Sequence, residues 1–350
     1  MKFLRLAFYV LIAQLVLSGC AGEGVEETSS SSSSEINFDA YLGRNASTRA
    51  GVTDIDSLKK SGFGVFARYK HTDGAISSLM DNEHVTWKEK ENRWGYTNTR
   101  YWPNEGSVDF YAFAPYLKNV KPVNAPDSIK ANPAYIEFTS STSNVDLVWG
   151  AQKNKTVPTS PTDSKVKFEF KHVLARLAFD ITANPKLEKN GAVIKVKEVK
   201  LYGDSVSEDI GAFDIKGYLN LENGEWTRDN KSTRAVYTWT PTGAEDGTSF
   251  RLTASQLDYT REKIENASNS YLCIIPQEKW QKFYLQITYT VQQGAFFQEE
   301  VKVRKDLTGI SKPFKFEKGK AYVFHLKLSL DPINFYVTTT VVDWKEGKIE

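Results

Sequence analysis

Alternation of apolar and polar residues recurs along most of the chain, and this feature most limits what the chain can fold into. Ile36, Phe38, Ala40 and Leu42 alternate with Asn37, Asp39 and Tyr41. Phe63, Val65, Ala67 and Tyr69 form a second set, and Val108, Phe110, Ala112 and Ala114 a third. Val173, Ala175, Leu177, Phe179 and Ile181 follow, then Phe283, Leu285, Ile287, Tyr289 and Val291. Tyr322, Phe324, Leu326, Leu328 and Leu330 alternate with His325, Lys327 and Ser329, and Ile333, Phe335, Val337 and Val341 mark the last run. Successive side chains of a strand point to opposite faces, so this period of two predicts half-buried β-strands. Helical periodicity is confined to a turn around Ile55 to Lys60. Asn190-Gly191 and Asn223-Gly224 predict tight hairpins, and Gln293-Gly294 separates the Phe283 strand from the run Phe297 to Val303. Many short strands with turns between them predict an all-β chain of β-sandwiches. The Pro-, Thr- and Ser-rich stretch Asn154 to Ser164 is the candidate linker, which sets the expected domains at 36–162 and 163–350.

Residues 1–19 carry a different pattern. Lys2 and Arg5 precede an apolar stretch from Leu6 to Leu17, and small residues lead to Leu17-Ser18-Gly19-Cys20. This is the layout of a secretory signal, and the Cys directly after Leu-Ser-Gly makes it a bacterial lipoprotein signal. The Cys20 thiol would receive diacylglycerol, and the mature chain would start there, tethered to the outer membrane by its acyl chains. Roughly twelve apolar residues are too few to span a bilayer. Residues 20–35 read as a tether. Glu23, Glu26 and Glu27, which resemble a lipoprotein surface-export signal, precede serines from Ser29 to Ser34 that have no apolar side chain to bury.

Charge excludes one class of partner. The chain holds 45 Lys and Arg against 43 Asp and Glu, and losing Lys2 and Arg5 with the signal leaves 43 against 43. A neutral chain without dense basic clusters has no electrostatic footprint for nucleic acid. Of the two cysteines Cys20 is consumed by lipid, so the mature chain has no disulfide framework, and Cys273 reads as a small buried side chain.

The chemistry-bearing residues do not form a catalytic or metal-binding pattern. His71, His84, His172 and His325 lack metal-ligand spacing, and His172 reads as a half-buried strand residue bonded to backbone. Gly62-Phe63-Gly64 lacks the third glycine and following helix of a phosphate loop and reads as a strand with close backbone packing. Glu299 and Glu300 point to opposite faces of one strand. Trp87, Trp94 and Trp102 lie close enough in sequence for a sugar-binding platform, although in a sandwich such residues are more often core. No enzyme class, metal or cofactor is expected.

Four blocks of sequence resemble the fimbrillin family, the type V pilins of Bacteroidetes and their Mfa-like relatives. The first is Ser47-Thr48-Arg49-Ala50-Gly51 with Gly62-Phe63-Gly64-Val65-Phe66-Ala67. The second is Tyr101-Trp102-Pro103 leading into Val108-Asp109-Phe110-Tyr111-Ala112-Phe113-Ala114-Pro115-Tyr116. The third is Asp146-Leu147-Val148-Trp149-Gly150 with Phe168-Glu169-Phe170-Lys171-His172-Val173-Leu174-Ala175-Arg176-Leu177. Tyr271-Leu272-Cys273-Ile274-Ile275-Pro276-Gln277 and the stretch from Gly319 through Trp344 make the fourth.

The resemblance implies two tandem transthyretin-like, Greek-key β-sandwiches and a subunit of adhesive surface fimbriae. It also implies a processing route. The exported lipoprotein would be cut after Arg49 by an Arg-specific or trypsin-like protease, leaving a product that begins at Ala50, with Arg44 as the competing site. Residues 36–49 would leave, and with them the strand that places Ile36, Phe38, Ala40 and Leu42 in the N-terminal sandwich. The open groove would take a C-terminal strand of the next copy or of a related fimbrial subunit. Ile333, Phe335, Val337, Thr339 and Val341 line one face of that donor. A host or bacterial surface ligand would be met by the assembled fimbria. Two other readings stay open on the residues: a surface-anchored glycan-binding lipoprotein using the Trp87, Trp94 and Trp102 aromatics, and a non-polymerising anchor or tip subunit that keeps its first strand.

Overall fold

The computed structural model describes residues 34–42, 55–120, 122–123, 135–140, 145–160, 164–183, 192–203, 211, 213–228, 234–241, 250–252, 271–279, 283–293, 297–307, 314–328 and 335–343. They form an all-β, multi-sheet fold whose strands are numbered β1–β24 in chain order, with one α-helix, α1 (Ile55–Ser61), where the sequence predicts a turn, and a single 3-10 turn at Glu89–Glu91. None of the described helices is long and apolar enough to cross a membrane.

The largest sheet holds β1 (Asn37–Leu42), β2 (Phe63–Lys70), β3 (Ile76–Lys88), β4 (Arg93–Gly95), β5 (Ser107–Ala114), β8 (Val148–Lys155) and β9 (Lys165–His172). Their order across the sheet is β1-β9-β8-β5-β2-β3-β4. The β1–β9 pair is parallel, from Asn37↔Lys165 to Leu42↔Phe170, and its neighbours are antiparallel. β9 follows the stretch expected as the linker yet is hydrogen-bonded into this sheet, so the chain changes sheet at residues 173–174. Val173, expected on a strand, lies in that turn.

An antiparallel sheet joins β6 (Pro122–Val123) and β7 (Tyr135–Thr139) to β13 (Lys216–Asn220) and β14 (Trp226–Arg228), in the order β14-β13-β7-β6. Two more sheets follow: β18-β10-β23-β24, from β10 (Ala175–Ala183), β18 (Tyr271–Ile274), β23 (Lys320–Leu328) and β24 (Phe335–Asp343), and β16-β11-β20-β21. The latter holds β11 (Ala192–Tyr202), β16 (Tyr237–Trp239), β20 (Tyr284–Gln293) and β21 (Phe297–Asp306), and β17 (Phe250–Leu252) also pairs with β11. Short pairs β12 (Phe213–Asp214) with β15 (Arg234–Ala235) and β19 (Gln277–Lys279) with β22 (Phe314–Phe316) complete the set.

Turn chemistry worked where the flanking strands are partners. β20 and β21 pair in register across Gln293-Gly294, and β13 and β14 pair across Asn223-Gly224. Gly224 has φ +69°, and a Cβ there would lie 2.6 Å from the Trp149 ring, so the position requires glycine twice over. Asn190-Gly191 lies outside the described residues, and the strands on either side, β10 and β11, belong to different sheets. The hairpin expected there does not form between them.

Alternation decides which core each side chain enters. Phe63, Val65, Val108, Phe110, Ala112 and Phe168 enter one core. Leu177, Phe179, Leu285, Ile287, Phe324 and Leu326 enter another. A third cluster lies between the two sheet systems, with Phe66, Tyr111 and Phe113 from the first and Val173, Leu174, Leu219 and Tyr271 beyond it. β5 is therefore buried on both faces, and its sequence reads as a near-continuous apolar run beneath the alternation. Two indoles pin the junction: Trp149 Nε1 donates to Leu221 O at 2.9 Å and Trp226 Nε1 to Val173 O at 2.6 Å.

Candidate functional site

β1 is held as a plug. Ile36, Phe38, Ala40 and Leu42 are 0, 2, 4 and 3% exposed, while Tyr41 on the outer face is 42% exposed. The Phe38 ring sits 5.9 Å from Phe168, 6.0 Å from Phe110, 5.5 Å from Tyr96 and 6.3 Å from Phe63. Beyond the parallel bonds to β9, the Ile36 N–H donates to Arg100 O and the Trp102 N–H to Ser34 O, both at 2.9 Å. The Tyr96 hydroxyl donates to Ile36 O at 2.7 Å. Burial pushes the Tyr96 phenol up to about 12. The β9 backbone along β1, the segment around Arg100 against residues 34–36 and the aromatic rings beneath thus define a groove lined by Phe63, Tyr96, Trp102, Phe110 and Phe168.

β24 lies in another sheet and is held more loosely. It pairs antiparallel with β23 from Leu328↔Phe335 to Lys320↔Asp343. In this register Val337 and Thr339 share a face with Leu326 and Phe324, so these two side chains turn toward their own core. Val337 is half-buried against that core, Thr339 Oγ1 is buried without a hydrogen-bond partner, and Val341 is 49% exposed. β24 is an edge strand whose end is fastened by a Lys320–Asp343 ion pair. Cys20, Arg44, Arg49, Ala50 and Ile333 lie outside the described residues.

Other sequence candidates find structural places. Trp94 and Trp102 are each 4% exposed, and Trp87 packs edge-on against Trp94 at 5.3 Å with the Lys59 ammonium 4.1 Å above it. The three indoles do not make an exposed flat platform, because the core claims their faces. His172 Nδ1 meets Asp146 Oδ2 at 2.9 Å, a carboxylate partner where a backbone bond was expected. His325 similarly meets Asp180 at 2.8 Å, and His84 stacks on Tyr116 at 3.7 Å, where burial lowers its pKa. Gly64 does sit in close packing: a Cβ would lie 2.6 Å from the Phe113 ring. Among the described residues there is no group of three His, Cys, Asp or Glu that could hold a metal ion.

The chain is thus a multi-sheet, all-β protein with a buried first strand and an alternating last strand at a sheet edge. Residues 48–344 match the family model described as Fimbrillin-like, and the chain belongs to that family, whose members are structural and non-catalytic. It is 28% identical over 242 residues to a protein of Phocaeicola vulgatus named fimbrium subunit Fim1C. That match spans 62% of this chain and 60% of the relative, under two thirds of the relative's length. The crystal structure of a fimbrial protein from Bacteroides vulgatus superposes with a TM-score of 0.61 at 21% identity, covering 89% of this chain and 99% of that one. At that identity the likeness shows the fold.

Proposed function

We propose that this protein is a polymerising subunit of adhesive cell-surface fimbriae, joined to its neighbours by strand replacement. In this reading the chain is exported as a lipoprotein anchored through Cys20 and cut after Arg49. β1 then leaves with residues 36–49, and β24 of the next subunit fills the vacated groove. The two sheet systems act as two transthyretin-like sandwiches, and the chain passes between sheets at residues 173–174.

The observation that carries the reading is the full burial of alternate β1 side chains in an aromatic groove. Three of these side chains are large, and burying each is worth about 1.5–3 kcal/mol. Their loss removes roughly 5–9 kcal/mol, against a total of about 5–15 kcal/mol for a typical domain. A cut subunit therefore cannot keep its groove empty and needs a replacement strand. β24 suits the task because it occupies a sheet edge, alternates in the same way and has surrendered only part of its apolar surface to its own core. To serve as donor it must first leave β23.

The test pairs two substitutions in cells that assemble the fimbriae. Arg49→Ala is expected to leave surface-anchored, acylated monomer, and Val337→Asp to allow export and cutting but no polymer. Normal fibres from both variants would contradict the assignment.

A further inference from the structure

Three groups on neighbouring strands meet away from the groove. Lys70 ends β2, Asp109 lies on β5 and Asn154 lies on β8, so the carboxylate stands on the strand between the other two. Lys70 Nζ is 2.7 Å from Asp109 Oδ2 and 3.0 Å from Asn154 Oδ1. The Asn154 N–H donates to Asp109 Oδ1 at 2.7 Å, and the Tyr111 hydroxyl donates to Asp109 Oδ2 at 3.2 Å. Asp109 is 4% exposed, whereas Lys70 and Asn154 reach the surface.

The backbone is shaped for this meeting. The β5–β8 register shifts between Val108↔Lys155 and Phe110↔Gln152, so Lys153 and Asn154 both stand opposite Asp109. This is a bulge, a device that re-aims a side chain. Asn154 takes φ +53° there, a left-handed conformation that asparagine tolerates better than most residues. A plain ion pair between Lys70 and Asp109 would need neither the bulge nor an amide as third partner.

We propose that Lys70 and Asn154 condense to an intramolecular isopeptide bond, with Asp109 as the proton carrier. An amine attacks only when deprotonated, and Lys70 Nζ lies 3.0 Å from Oδ1, the oxygen bonded to the carbon it would attack. Asp109 takes one proton from the Lys70 ammonium, and the freed lone pair attacks Asn154 Cγ, the carbon bonded to Oδ1. The new C–N bond forms, and the attacking nitrogen passes one further proton to the amide nitrogen. That nitrogen leaves as ammonia, the proton held by Asp109 departs with it as ammonium, and Asp109 returns to its ionised form. No oxidant, metal or cofactor enters the balance. Surface exposure of Lys70 and Asn154 gives the ammonia a way out. The product ties β2 to β8 across β5, closing a sequence separation of 84 residues within the sheet that carries the β1 groove.

Tryptic mapping of the folded full chain tests this directly. Cleavage at Lys153 and Lys155 frees Asn154-Lys155, and cleavage at Arg68 and Lys88 frees residues 69–88. The expected product is residues 69–88, uncut at Lys70, carrying Asn154-Lys155 with the loss of one ammonia. Lys70→Arg keeps the positive charge beside Asp109 and is expected to abolish the branched peptide while leaving the fold. Asp109→Asn keeps both reacting groups and is expected to lose the branch as well; a branch of undiminished yield there would overturn the role of Asp109. Recovery of an ordinary tryptic end at Lys70 and free Asn154-Lys155 from folded wild-type protein would overturn the bond itself.

Discussion

β1 and β24 are both strands at the ends of their sheets with apolar side chains on alternate residues, and they differ in how completely those side chains are covered. β1 has its inner face sealed by four aromatic rings around Phe38 and its backbone paired with β9, and residues 34–36 just before it are bonded to the segment around Arg100. Among the described residues β24 has one strand partner, a half-buried Val337 and a Val341 left half exposed. The same alternating pattern thus produces a plug in one place and a loosely parked strand in another. Strand exchange needs this asymmetry: the groove must be deep enough to demand an occupant, and the donor must be cheap to detach.

The comparison breaks most visibly at Phe38. Phe38→Ala in the uncut protein is expected to cost about 3–5 kcal/mol, read as a lowered denaturant midpoint. Val337→Ala is expected to cost roughly 1 kcal/mol, since a half-buried side chain has half its transfer energy at stake. Equal losses at the two positions would mean that β24 is as firmly seated as β1, and the donor assignment would lose its basis.

Tyr96 sharpens the contrast by pH. Its hydroxyl binds Ile36 O, and burial holds its native pKa near 12 against an ordinary value of 10.0. Because the folded value is the higher one, the neutral phenol stabilises the uncut protein fully below pH 10.0, and that stability drains away as pH rises to about 12. Tyr96→Phe is expected to flatten the alkaline decline measured by thermal unfolding. Cut protein, without β1 above Tyr96, should show the weaker slope even with Tyr96 in place.

The smallest expected stability effect carries assembly information. Val341→Asp is expected to change monomer stability by no more than about 0.5 kcal/mol, as surface substitutions do, yet to stop polymerisation because the same side chain must enter an apolar groove. Unfolding curves and the ladder of large species on gels without boiling measure the two effects separately.

Alternation in the sequence exposed the strands and their inner faces, since the period of two is a local property: β1 and β5 bury every residue expected of them, β2 and β20 all but the partly buried Tyr69 and Val291, and β23 buries Tyr322, Phe324, Leu326 and Leu328, with Leu330 outside the described residues. Partners were not legible, because a strand pairs through its backbone, which carries no residue code. β10 lies parallel to β23, with Asp180 beside His325, and β7 pairs with β13 across the junction between the sheet systems. The Asn190-Gly191 dipeptide carried a hairpin signal, but β10 and β11 found longer partners elsewhere. His172 illustrates the same limit for side chains: its partner Asp146 sits on a preceding segment that only the fold brings near. The meeting of Lys70, Asp109 and Asn154 was likewise invisible, since each residue alone reads as an ordinary polar end of a strand.

The most direct test of the account is the N-terminal residue of this protein in fibres sheared from the cell surface. Strand replacement predicts a chain beginning at Ala50 within large species that resist mild detergent and collapse on boiling. A blocked, acylated Cys20 on monomers would show that β1 never leaves its groove and would contradict the polymerising assignment.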